Sequence, residues 1–260
     1  MSQAGPERLF GETGGQGFLL RYIDHMETYG PHIIERVVGS LKEIKVAADL
    51  GAGGGRDLAT IKRLHPGCQT VAVDANVRTS RGLTATIDRV VIANLERDRL
   101  PFGDGEVDFF LSNTVFESIK EIFWVFHEVF RCMPVGGHFL LGVRNICSLH
   151  NRLLVLAGRH PTQVKLCSNS FRAFSIPDMK NFLAACVPGG YEIVEIAGSQ
   201  FYPFPRKIAR PLATAFPGLA FTLYFMIKKT APYTDSFATY PARAHFEANF
   251  WSGESYLGSQ

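Results

Sequence analysis

The chain has 260 residues, 46% hydrophobic and 20% charged, with 21 Phe, 8 Tyr and 2 Trp. So much apolar material buries a sizeable core, which excludes a chain disordered along most of its length. A formal net charge of +3 is too slight to imply a nucleic-acid partner. The five cysteines stand singly, with no CxxC pair, which argues against a zinc ribbon, a thioredoxin-type site or a disulfide framework. Five reduced thiols in a cytoplasmic protein are expected. The first residues lack the basic-then-apolar order of a signal peptide. No uncharged apolar run reaches ~18–20 residues without a helix breaker, so no spanning helix is expected. The nearest approach is Pro211 to Ile227, interrupted by Pro217 and Gly218.

In chain order, Gly17 to Leu41 carries apolar residues at near-helical spacing, which predicts two short helices broken at Gly30-Pro31. Val46 to Leu50 is a short apolar run that ends in Gly51-Ala52-Gly53-Gly54-Gly55. Leu58, Ile61 and Leu64 then repeat at helical spacing until Pro66-Gly67, and Thr70 to Asp74 reads as another buried strand. Strand, glycine loop, helix and strand make a βαβ unit. Further strands are expected at Arg89–Ala93, Val107–Ser112, Gly137–Val143 and Glu192–Ala197. Helices are expected at Ile119–Arg131 and at Ile176–Cys186, the latter opened by Ser175 with Pro177 near its start. Strands alternating with helices predict an α/β domain with a largely parallel sheet.

Two segments break the alternation. Asn145 to Ser175 separates strand five from the next helix, and its apolar centre, Leu149–Leu156, reads as helical. The last sixty residues are rich in aromatics. There a helix at Pro205–Phe216 and a final strand at Leu219–Ile227 are the plainest reading of the apolar stretch. A membrane-surface segment or an oligomer interface are the other two.

The glycine loop is the sharpest signal. Glycines after a strand allow tight turns and close approach of a ligand to the backbone. The dinucleotide fingerprint GxGxxG fails in both registers, because its third glycine falls on Arg56 or on Leu58. An acid, Asp49, precedes the loop and would repel a pyrophosphate, but not a cationic amino-acid tail. Asp74 ends the next strand, where an acid accepts hydrogen bonds from ribose hydroxyls. The site therefore reads as built for an adenosine whose tail is not a phosphate.

At this point the sequence resembles the class I S-adenosylmethionine-dependent methyltransferases, of the type 11 kind, over roughly Val46 to Val143. Four stretches carry the likeness: AADLGAGGG (Ala47–Gly55), VAVDANV (Val71–Val77), ANLERDRLPFGDGEVDFFLSN (Ala93–Asn113) and EVFRCMPVGGHFLLGV (Glu128–Val143). The resemblance implies a Rossmann-like, seven-stranded, mostly parallel sheet with helices on both faces. It also implies an antiparallel last strand and a helical insertion after strand five. It implies one domain over 1–260: N-terminal helices (1–44), a cofactor-binding core (45–144), a substrate-covering insertion (145–175), a C-terminal sheet half (176–230) and an aromatic tail (231–260).

The implied cofactor is S-adenosylmethionine. Its methionine part would lie along Gly51, Ala52 and Gly53, supported by Asp49. Asp74 would bind the ribose, Ala75 would lie against the adenine, and Asn94 and Leu95 would stand near the adenine amine. Asn113 would face the sulfonium end. Many relatives carry a His shortly after that point, but Val115-Phe116-Glu117-Ser118 has none. A longer likeness, in His150–Thr162, Phe171–Phe174 and Phe216–Tyr233, points to methyltransferases of bacterial surface-polysaccharide clusters.

The expected reaction is methyl transfer to an acceptor heteroatom, foremost a hydroxyl of a sugar, glycan or glycolipid. Candidate bases are His150 and Glu117. Arg144, His150, Arg152 and Arg172 are candidate acceptor contacts. Loop packing or surface ion pairs are the plainer reading for each of these, and a packing role is the plainer one for His127. No metal site is expected. A hydrophobic metabolite (quinone, polyketide or amine) is the alternative acceptor. An NAD-dependent oxidoreductase and an inactive nucleoside-binding module are the rival classes. Nucleic acid is not an expected partner. Self-association, and contact with the inner face of a membrane through the C-terminal region near Arg206, Lys207 and Arg210, are both compatible with the composition.

Overall fold

The structure, a computed structural model, describes residues 30–76, 87–164, 166 and 168–246. The first of the two helices expected before Leu41, and Cys167, lie outside these residues. Helix α1 (Pro31–Ser40) starts where the break was expected, on Gly30 in the left-handed region at φ 48°. A Cβ on Gly30 would stand 2.7 Å from the Tyr224 hydroxyl, so both backbone and space demand glycine.

The sheet is built from β1 (Val46–Leu50), β2 (Gln69–Asp74), β3 (Arg89–Ile92), β4 (Phe109–Asn113), β5 (His138–Arg144), β6 (Tyr191–Ser199) and β7 (Thr222–Lys229). Its order is β3-β2-β1-β4-β5-β7-β6. The pairs β1–β2, β1–β4, β2–β3 and β4–β5 are parallel. β7 runs antiparallel to both β5 and β6. This is the seven-stranded Rossmann-like arrangement that the resemblance implies, with the reversed strand second from the edge.

Successive side chains of a strand point to opposite faces, and here both faces are buried. Ala48, Leu50, Phe110, Leu223, Phe225 and Ile227 pack toward α3 (Ile122–Cys132) and α5 (Ile176–Cys186). Ala47, Phe109, Leu111, Tyr224 and Met226 pack toward α1 and α2 (Arg56–Leu64). Between β5 and α5 lies α4 (Leu149–Leu156), and between β6 and β7 lies α6 (Arg206–Ala215). Ser175 caps α5 by accepting from the Asp178 N–H, as its position predicts.

Three expectations change. The helix expected from Ile119 begins only at Ile122, after a 3-10 turn at Phe116–Ser118. There the Glu117 carbonyl accepts from the N–H groups of Phe171 and Arg172 in the insertion, and Ile119 is extended, so a continuous helix cannot form. The final strand begins at Thr222, because Pro217–Leu219 forms another 3-10 turn. The aromatic tail contains a helix, α7 (Ser236–Arg243). Phe237 of α7 sits fully buried among Phe126, Phe130, Phe182 and Tyr233.

Candidate functional site

The connections after β1 and β4 diverge at the C-terminal edge of the sheet. In open α/β sheets, ligands bind in that crevice. The glycine loop extends the ladder first: the Gly51 N–H donates to the Val73 carbonyl at 2.7 Å. It then turns through Gly51, Gly53 and Gly55 at φ 80°, 49° and 69°. A Cβ on Gly51 would stand 2.4 Å from Val115 Cγ2, which locks the loop against the β4 connection. α2 follows, with no side-chain cap on Gly55. Its first-turn N–H groups therefore lack a capping side chain.

A cleft of about 350 Å³ opens there, lined by Asp49, Gly51 to Gly54, Arg56, Asp57, Asn113 and Thr114. Asp49 is 3% exposed. Burial raises its pKa well above the usual carboxylate range, helped by the charges of Asp57 and Asp74 and opposed by Arg56. Asp74 braces the loop: Oδ2 accepts from the Gly53 N–H at 3.0 Å and Oδ1 from the Asn76 N–H at 2.7 Å. Asn113 Nδ2 donates to Asp57 Oδ2 at 2.9 Å, and Asn113 Oδ1 accepts from the Tyr224 hydroxyl at 3.2 Å. Gly142 makes room for this pair, since a Cβ on it would stand 2.7 Å from the Tyr224 ring and 2.9 Å from Asn113 Oδ1.

Of the sequence-predicted cofactor residues, the cleft gathers Asp49, Gly51, Ala52, Gly53 and Asn113, with Asp74 bonded to its loop and Ala75 next in the chain. Asn94 and Leu95 follow β3 and do not line it. Asn94 is exposed, its Oδ1 accepts from the Glu96 N–H at 3.0 Å, and Leu95 is buried.

Glu117 is 2% exposed. Its Oε1 accepts from the Arg144 N–H at 2.6 Å, while its buried Oε2 has no partner. Burial raises its pKa, and the Arg144 N–H pulls the other way. His150 lies outside the cleft lining, on α4. Its Nε2 is 2.8 Å from Thr162 Oγ1 and its ring rests against Tyr202 and Phe221. Burial lowers its pKa. Arg152 donates to the Cys147 carbonyl at 2.8 Å. Arg172 donates to the carbonyls of Ile119 and Lys120, tying the insertion to the turn before α3. His127 is a buried packing histidine bonded to the Tyr233 hydroxyl at 3.0 Å.

Sequence reasoning missed Gly54, Arg56, Asp57, Thr114 and Tyr224. Asp57 carried a signal, an acid in the first turn of a helix, but that has an ordinary explanation in the helix dipole. Tyr224 carried none, because it reaches Asn113 from 111 residues away.

Residues 48–141 match the family described as a methyltransferase domain. No curated protein matches the chain by sequence. Among solved structures, a SAM-dependent methyltransferase from Thermotoga maritima aligns at TM-score 0.57 and 15% identity, covering 84% of this chain and 96% of its own. One from Archaeoglobus fulgidus aligns at TM-score 0.54 and 14% identity, covering 82% and 99%. The Burkholderia thailandensis 1,6-didemethyltoxoflavin-N1-methyltransferase, solved with 1,6-didemethyltoxoflavin and S-adenosylhomocysteine, aligns at TM-score 0.51 and 17% identity, covering 83% and 86%. The chain thus has the Rossmann-like methyltransferase fold, and the domain match falls on the stretch that builds the cleft.

The cofactor that this match and fold indicate is S-adenosylmethionine. The residues present fit it. A Cβ on Gly54 would meet nothing within 4 Å, and one on Gly53 only the Gly51 carbonyl at 4.0 Å, so the loop presents bare backbone to open space. Asp49 and Asp57 line that space, and Asp74 holds the loop from behind through the Gly53 N–H, an acidic surrounding that suits a cationic ligand. Among the described residues no group of His, Cys, Asp or Glu has the makings of a metal site, and no helix is long and apolar enough to cross a membrane.

Proposed function

We propose that the chain is an S-adenosylmethionine-dependent methyltransferase whose acceptor is a hydroxyl of a sugar, glycan or glycolipid. The acid-lined glycine cleft carries this reading. A pyrophosphate cofactor would be repelled there, whereas a ligand with an ammonium and a sulfonium is attracted. When bound, the cofactor supplies a methyl group made electrophilic by a positively charged sulfur.

The protein's own residues bind and align. Asp74, already braced by two N–H donors, accepts from the ribose hydroxyls. Ala75 lies against the adenine, with Asn94 and Leu95 beyond it. Asn113 holds the other end of the cleft, its amide fixed between Asp57 and Tyr224. Alignment of two reactants in a dry pocket supplies most of the rate in such a transfer.

A hydroxyl acceptor loses its proton as the new bond forms. Glu117 is the first candidate to receive it: its Oε2 is unpartnered and its raised pKa makes it a stronger base than an ordinary carboxylate. His150, whose pKa burial lowers, is the second. Arg144, Arg152 and Arg172 remain candidate acceptor contacts, although the last two already hold backbone carbonyls.

A hydrophobic metabolite is the second reading, favoured by the His150, Tyr202 and Phe221 rings at the same sheet edge. Incubation of the purified protein with S-adenosylmethionine and panels of both acceptor kinds should yield S-adenosylhomocysteine with one of them. Glu117→Gln or His150→Ala should then lower kcat by about a hundredfold. Calorimetric titration that detects NAD but not S-adenosylmethionine would refute the reading in favour of an oxidoreductase. If neither variant lowers turnover beyond about tenfold, the base assignment fails.

A further inference from the structure

Two connections roof the C-terminal edge of the sheet beyond the cleft, from β5 to α5 (145–175) and from β6 to β7 (200–221). The first holds four Lys/Arg and the second three, and neither holds an Asp or a Glu. The two form one surface. Leu149 of α4 packs into the cluster made by Ala209, Leu212 and Ala213 of α6. The His150 ring lies 5.3 Å from that of Tyr202 and 6.4 Å from that of Phe221.

This surface exposes apolar side chains that a surface helix normally buries. On α4, Leu153 and Val155 are each 57% exposed and Leu156 is 83% exposed. Leu149, Leu153 and Leu156 follow one another at i, i+4 and i+7, so an apolar line runs out of the core into solvent. Beside α6, Phe204 and Ile208 are also exposed. With Ala209 and Ala213 turned inward, 3.6 residues per turn set Ile208, Pro211 and Ala215 along one flank of α6. Arg206 and Arg210 fall along the other flank, with Lys207 between the two on the outer side. An inward stripe of small residues, an apolar flank and a basic flank describe a helix that lies at the headgroup level of a bilayer.

We propose that α4 and α6 form a docking surface for an anionic lipid membrane, and that it brings a membrane-held acceptor to the sheet edge where the cleft opens. The acceptor half of this proposal rests on the methyltransferase reading; the docking half does not. Charge decides the occupant. A symmetric dimer through this face would set two acid-free basic surfaces against each other. A bilayer of anionic headgroups offers the opposite charge outside and apolar depth beneath.

The test is co-sedimentation of the full chain with phosphatidylcholine vesicles, with and without phosphatidylglycerol. The wild type should pellet with the anionic vesicles, only weakly with the neutral ones, and less at high salt. Arg206→Glu with Lys207→Glu, and separately Leu153→Ser with Leu156→Ser, should each weaken vesicle binding by about tenfold or more. S-adenosylmethionine affinity, measured by calorimetry, should stay unchanged in both, because none of these residues lines the cleft. Absence of binding to anionic vesicles, equal binding to neutral ones, or full binding by both variants would overturn the proposal. So would a wild-type dimer in light scattering that the leucine variant splits without any effect on vesicles. Vesicle binding by a protein with no affinity for S-adenosylmethionine would spare the docking surface and sink the methyltransferase reading instead.

Discussion

Gly51 and Gly54 sit three residues apart in the same loop, yet they are glycines for different reasons. At Gly51 both the backbone (φ 80°) and a neighbour 2.4 Å from any added Cβ forbid a side chain. Gly54 has neither restriction: an added Cβ would meet nothing within 4 Å, and the residue lines the cleft. Gly51→Ala should therefore lower stability by about 2–3 kcal/mol through strain and overpacking. Gly54→Ala should melt within about 0.5 kcal/mol of wild type but bind S-adenosylmethionine at least about tenfold more weakly, because its methyl enters the space that the ligand needs. Urea melts and calorimetry on the two variants separate these effects. Unchanged affinity in Gly54→Ala would show that the cofactor does not run along this loop. Asp49, Gly51, Gly53 and Asp74 were legible in the sequence because turn chemistry and strand ends fix them locally. Asp57 and Tyr224 were not, since their part in the site comes from contacts with Asn113 across the fold.

At the scale of elements, the least legible piece is α7. Its sequence, SFATYPAR, contains Pro241, and Asp235 precedes it in the left-handed region without a capping hydrogen bond. Asp235 is a residue type that starts helices, but it makes no capping bond here and Pro241 sets propensity against the helix; packing imposes the conformation. Phe237 is the centre of that packing, with ring centroids 5.0 Å from Phe130, 5.2 Å from Phe126 and 5.5 Å from Phe182. Phe237→Ala should cost about 3–5 kcal/mol in urea unfolding. It should also expose 236–243 to proteolysis at protease levels that leave the wild type intact, because the anchors left, buried Pro241 and the Tyr240 ring stacked on Phe123, bury far less than Phe237 does. A loss below about 1 kcal/mol would mean that α7 is not docked as described. By contrast α5, with its serine cap, early proline and apolar spacing, was legible to the residue. A helix whose own sequence carries its start signal can be read without its neighbours.

Across the whole molecule, the charge distribution opposes the net charge. The chain carries +3 overall, yet three carboxylates meet at the point where strand order reverses between β1 and β4. Folding forces Asp49 into burial beside Asp57 and Asp74, so its pKa in the free protein stands well above the ordinary range. A raised carboxylate gives stability that is fully present below the ordinary carboxylate pKa and is lost as pH rises through the folded value. The free fold therefore carries a cost at neutral pH that a cationic ligand can offset, because such a ligand lowers the pKa and drives the proton off. Binding should accordingly tighten as pH rises, with proton release. At about a hundred times Kd the ligand should add about 2.7 kcal/mol, or roughly 5–10 °C in Tm for a chain of this size. At one fixed ligand concentration that shift should be smaller at about pH 5 than at about pH 8, and the binding heat should depend on the buffer's ionisation enthalpy. Burial lowers the pKa values of His127, His138 and His150. They lie outside the cleft lining and so move the free and bound proteins together, which leaves the difference in Tm to the cleft. Asp49→Asn should remove both the pH dependence and the buffer dependence. If the ligand-induced shift is the same at both pH values in the wild type, Asp49 does not couple to the ligand.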